Sequence, residues 1–179
     1  APTVVGGALG NTFNLGQATQ TGTFTGGTGT DAFNGPSGSY IWNVTGVKSG
    51  NFESLINFTG IENLVAQGTG NTFKLDGGSV SSIDGGASGS TLEDKGSGSV
   101  NFSVTSLTSG GLCGGTTTGS TTQVFSNING FIGGTGATTI QNNAGVALSW
   151  DLNGSKTAAF GLSSGGTTAS LSCVNSSSR

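Results

Sequence analysis

Eight carboxylate side chains, four lysines and one arginine carry all the formal charge of this 179-residue chain, and it contains no histidine. That removes the usual general base, the commonest metal ligand and any serine–histidine dyad. Carboxylate chemistry remains. Glycoside-cleaving enzymes set two carboxyl groups across the scissile bond, and the candidates here are Asp76 with Asp84, and the run Glu93-Asp94-Lys95. Asp76-Gly77-Gly78 and Asp84-Gly85-Gly86 also have the composition of turns, because Asp bonds its own backbone and tolerates a left-handed conformation. Glu93-Asp94-Lys95 reads as a solvated corner. The turn and corner readings are favoured, which makes a non-enzymatic protein the expectation.

Three aromatic residues could bind rather than react. Tyr40, Trp42 and Trp150 are candidates for stacking on sugar rings, with Asn and Thr supplying hydrogen bonds. Trp42-Asn43-Val44-Thr45-Gly46 and Trp150-Asp151-Leu152-Asn153-Gly154 share a context, however, which favours equivalent core positions for the two indoles. Cys113 and Cys173 are the only cysteines. A bridge between them would enclose about 60 residues, be worth a few kcal/mol and place the protein in an oxidising compartment. Two buried free thiols are the alternative. They make no zinc site alone, lacking histidine and close spacing.

Charge and hydropathy exclude other partners. A net charge of −3 with so few cations cannot neutralise a run of phosphates, so no nucleic acid is expected. No apolar stretch approaches the roughly 20 residues of a membrane-spanning helix, so no membrane insertion is expected. The chain opens Ala1-Pro2-Thr3 without methionine or a signal-like run, which suggests a processed chain or an excised fragment. Five Asn-x-Ser/Thr sequons, such as Asn57-Phe58-Thr59, arise by chance in a chain this rich in Asn, Ser and Thr.

What must position these residues is a repeat. Gly-Asn-Thr-Phe-x-Leu occurs at Gly10–Leu15 and again at Gly70–Leu75, with looser copies at Gly26–Phe33, Gly85–Leu92 and Gly133–Ile140. Each is a glycine turn, a small polar step and one large apolar residue. Phe13, Phe33, Phe52, Phe73 and Leu92 fall at steps of roughly 20 residues, the mark of units that stack to share a core. Local alternation of apolar and polar residues, as in Ile41-Trp42-Asn43-Val44 and Asn101-Phe102-Ser103-Val104, predicts short strands. Thirty-six glycines punctuate them. No segment carries a helical apolar stripe, and Phe52–Leu64, the best helical candidate, reads as strand and turn. The expected architecture is all-β: a parallel β-solenoid (β-helix) of one domain, 1–179, with rungs of about 20 residues. An antiparallel β-sandwich is the alternative.

Two resemblances attach to these motifs. Gly26-Gly27-Thr28-Gly29-Thr30-Asp31-Ala32-Phe33 resembles the RTX calcium repeat, in which Asp and turn carbonyls of tandem units share Ca²⁺. Here the copies are not tandem, and Asn71 and Ser90 replace the Asp elsewhere, so Asp31 is expected in a structural turn. Phe58-Thr59-Gly60-Ile61-Glu62-Asn63-Leu64, Gly70-Asn71-Thr72-Phe73 and Ser82-Ile83-Asp84-Gly85-Gly86 resemble the repeats of filamentous-haemagglutinin-like and autotransporter adhesins of bacteria. That resemblance implies a secreted, cell-surface β-helix: an adhesin segment or matrix fibre subunit without cofactors. Its partners would be neighbouring repeats, further copies or host and matrix glycans. A carbohydrate-binding module and a polysaccharide-active enzyme are the alternatives.

Overall fold

The computed structural model describes residues 1–87, 90–108, 111–119, 122–145, 148–153 and 170–175, the last two segments by backbone alone. They are all β. The strands are β1 (Thr3–Val5), β2 (Thr12–Asn14), β3 (Gly22–Thr25), β4 (Ala32–Asn34), β5 (Ile41–Gly46), β6 (Ser49–Phe52), β7 (Ile56–Thr59) and β8 (Asn63–Val65). There follow β9 (Thr72–Leu75), β10 (Ser82–Asp84), β11 (Ser90–Asp94), β12 (Val100–Leu107) and β13 (Cys113–Gly119). Last come β14 (Gln123–Ile132), β15 (Thr138–Asn142), β16 (Leu148–Asn153) and β17 (Ser170–Asn175). All belong to one curled sheet of mixed direction.

Parallel ladders set apolar side chains of successive passes of the chain against one another. Phe13 pairs with Phe33, Phe33 with Leu64, Leu64 with Ile83 and Ile83 with Phe125. A second column runs Trp42, Phe73, Leu92, Phe131, and a third Val4, Phe24, Phe58. Because side chains alternate across a strand, in-register parallel pairing keeps each column on one face. Phe33, Trp42, Phe52, Phe73, Phe102 and Leu64 are wholly buried, and each such burial is worth about 2 kcal/mol. Rings meet between columns, Phe33 and Trp42 at 4.9 Å, and within one, Trp42 and Phe73 at 5.4 Å.

The pass length is not uniform. It is 20 residues between Asn11 and Asp31, 31 between Asp31 and Glu62, 19 between Asn63 and Ser82, and 43 between Asp84 and Asn127. The long passes contain antiparallel hairpins, β5–β6–β7 and β12–β13–β14. The steady 20-residue rung is therefore corrected. Phe52 marks no rung but sits on antiparallel β6 opposite Trp42, and Phe73 belongs to a different column from Phe13 and Phe33. Nor do the described residues form a two-layer sandwich, since all their strands join the one sheet. Phe52–Leu64 is strand and turn, as expected.

At some glycine corners there is no room for anything larger. A Cβ on Gly6 would lie 1.9 Å from the Gly26 carbonyl oxygen, and one on Gly26 would lie 1.9 Å from that of Gly60. Gly60 has φ +67°, a conformation costly to any other residue.

Candidate functional site

Polar side chains two residues before a core apolar residue face inward with it, and that placement decides what they can do. Asn11, Asp31 and Glu62 precede Phe13, Phe33 and Leu64 in this way. The Asn11 backbone N–H and its Nδ2 both donate to Asp31 Oδ1, at 2.7 and 2.8 Å. The Asp31 N–H donates in turn to Glu62 Oε2 at 2.7 Å. Asp31 and Glu62 each reach back to the preceding pass and satisfy a corner N–H. Gln123 does likewise, its Oε1 accepting from Val80 N at 2.9 Å. On the second column, Asn71 Oδ1 accepts from Trp42 Nε1 and Asn71 Nδ2 donates to the Gly38 carbonyl, both at 3.1 Å. Burying such groups is tolerable only when they are bonded in this way.

Asp31 is completely buried and Glu62 is 6% exposed. Lys48 Nζ reaches Glu62 Oε1 at 2.8 Å from a side chain that is 46% exposed, so the pair adds little beyond geometry. Asp31, which the calcium-repeat resemblance singled out and which was expected in a structural turn, caps Asn11. Among the described residues no group of three His, Cys, Asp or Glu side chains is placed to hold a metal.

The proposed sugar platform does not form from the described members of its set. Trp42 is wholly buried between Phe33, Phe52 and Phe73. Tyr40, two residues away, shares its face and packs on Phe52 with ring centroids 5.2 Å apart, its hydroxyl donating to the Ser37 carbonyl. The side chain of Trp150 lies outside the described residues. The paired carboxylates do not assemble either. Asp84 ends β10, and its Oδ1 accepts from Gly86 N in the turn that follows and from Asn127 Nδ2. Asp76 is exposed after β9, in a different ladder. Glu93 and Lys95 pair with each other at 3.1 Å. Asp94, expected on a solvated corner, is buried, because it continues the inward column of Val44 and Leu75.

Cys113 is buried and is not a free thiol. Its backbone faces Ile128 of β14. On the same side of β14 the ladder is taken up by β17, with Gly130 opposite Ser172, so Cys173 arrives beside the start of β13. The side chain of Cys173 lies outside the described residues.

Facing outward, the passes carry short polar residues in register: Asn14 with Asn34, Thr23 with Asn57 and Thr25 with Thr59. Asn34 Nδ2 donates to Asn14 Oδ1 at 2.8 Å, and Ser82 Oγ bonds Asn63 Oδ1 across the next ladder. Sequence reasoning missed the inward polar ladder. Its signal was present: an Asn, Asp, Glu or Gln two places before Phe13, Phe33, Leu64, Phe73 and Phe125, which the alternation of a strand turns inward. No family model, curated protein or solved structure matches the chain.

Proposed function

We propose that the chain is a non-enzymatic, extracellular structural and adhesive protein, a β-helical segment of a bacterial surface adhesin or matrix fibre. One observation carries this reading: in-register stacking of Phe13, Phe33, Leu64, Ile83 and Phe125. Successive passes build a continuous core and display uncharged Asn, Thr and Ser at regular spacing. The polar residues best placed for chemistry, Asp31, Glu62 and Asn71, are spent on holding one pass to the next. A surface of short hydroxyl and amide groups suits many weak hydrogen bonds to a polyhydroxylated matrix. On this reading Cys113 and Cys173 are bridged, in keeping with an oxidising compartment.

The test is adhesion. Beads coated with the chain should be retained on glycan-rich matrix and on cell layers above albumin-coated beads, and negative-stain micrographs should show elongated particles. Retention equal to albumin, together with globular particles, would overturn the proposal.

A further inference from the structure

Parallel strands β2, β4, β8, β10 and β14 pair in turn without a register shift. Side chains facing away from the Phe13 column therefore form two continuous rows across the strands. One row runs Asn14, Asn34, Val65, Asp84, Ser126. The other lies two residues earlier on each strand and includes Asn63, Ser82 and Val124. We propose that this grid binds an uncharged, straight polysaccharide of β-1,4-linked pyranose rings, laid along the rows and across the strands. The inference rests on the adhesive reading above and names its face and its ligand class.

Spacing is the first argument. Neighbouring strands lie about 4.8 Å apart, and the two rows are separated by about 7 Å, two residues along each strand. A β-1,4-linked chain is extended and advances by close to one strand spacing per ring. Each ring then sits over one strand, and its hydroxyl groups reach both rows. An α-1,4-linked chain coils and leaves the grid.

The hydrogen-bonding groups are already aimed. Asn34 Nδ2 donates to Asn14 Oδ1 at 2.8 Å, and Ser82 Oγ donates to Asn63 Oδ1 at 2.6 Å. Those bonds fix the amides and leave Asn14 Nδ2, Asn34 Oδ1 and Asn63 Nδ2 to an outside partner. Donors and acceptors stand side by side, which suits hydroxyl groups that do both, and little side-chain freedom is lost on binding. Val65 and Val124, the latter 49% exposed, offer methyl groups to the C–H faces of the rings.

Charge selects among glycans. Asp84 is the one charged side chain of the grid, and its Oδ1 is occupied by Gly86 N and Asn127 Nδ2. Of the described lysines, Lys48 pairs with Glu62, Lys95 pairs with Glu93, and Lys74 lies on the other ladder. A uronate or sulfate polymer meets a carboxylate here and no cation, so it is disfavoured. A neutral chain carries no such penalty.

Nuclear magnetic resonance titration of the full, isotope-labelled chain with cellohexaose, maltohexaose and hexagalacturonate tests this. Cellohexaose should shift the side-chain amide signals of Asn14, Asn34 and Asn63, and the other two sugars should bind at least about ten-fold more weakly. Asn63→Ala should weaken cellohexaose about ten-fold, while Asn57→Ala, at an exposed position on β7 outside the grid, should bind as the wild type does. No binding of cellohexaose, equal binding of hexagalacturonate, or shifts confined to other faces would overturn the inference. Matrix retention of beads carrying the wild-type chain separates the two proposals. Retained beads without cellohexaose binding overturn the ligand class alone, whereas beads retained no better than albumin overturn the adhesive reading.

Discussion

Asp31 shows how much one inward polar residue can hold. Its Oδ1 accepts two bonds from Asn11 while its own N–H is capped by Glu62. Asp31→Ala leaves a buried donor unpaired and should cost about 2 kcal/mol, read as a lower urea midpoint. Asp31→Asn keeps a carbonyl oxygen in place and should recover most of that loss. Equal losses in the two variants would mean the cap is not what matters. The same logic applies to Trp42, whose Nε1–H is bonded to Asn71. Trp42→Phe fills most of the space but orphans a buried acceptor, and should cost about 2 kcal/mol by the same assay.

At the scale of elements, corners and hairpins respond in opposite directions. Gly26→Ala drives a methyl group into the Gly60 carbonyl and should destabilise by about 3 kcal/mol. Ser54 sits at φ +58° beside Glu53 at φ +52°, in the tight turn between β6 and β7. Such turns favour Asn-Gly, so Ser54→Gly should raise stability by about 1 kcal/mol, visible as a higher melting temperature. This turn also explains what the sequence could not disclose. Glu53-Ser54 carries no turn signature, and parallel and antiparallel strands show the same alternation, so the hairpins that lengthen some passes were invisible. Phe13 over Phe33 was legible, because matched glycine turns stand a full pass apart. Phe73 was placed in the wrong column because the hairpin β5–β6–β7 shifts the count between them. Trp42 was legible as core from its shared context with Trp150. The bonding roles of Asp31, Glu62 and Asn71 were written in their spacing and went unread.

For the whole molecule, stability rests on contacts far apart in sequence. Alkylation of the native chain under denaturing, non-reducing conditions should modify neither cysteine, and reduction should lower stability by about 4 kcal/mol on the loop-entropy estimate. Two alkylated cysteines without reductant would remove the bridge, and with it the case for an oxidising compartment. The absence of charged side chains before Asp31 also acts at this scale, leaving one end of the sheet uncharged and the rest of the surface to carry the net charge.

Stacking of successive passes is the claim on which everything above depends, and nuclear Overhauser spectroscopy on isotope-labelled protein tests it most directly. Backbone and side-chain contacts should link residue 13 to 33, 33 to 64 and 64 to 83, with the parallel pattern of amide-to-α proton contacts. Close α-to-α proton contacts pairing β2 antiparallel with β3, and none between residues 13 and 33, would contradict it.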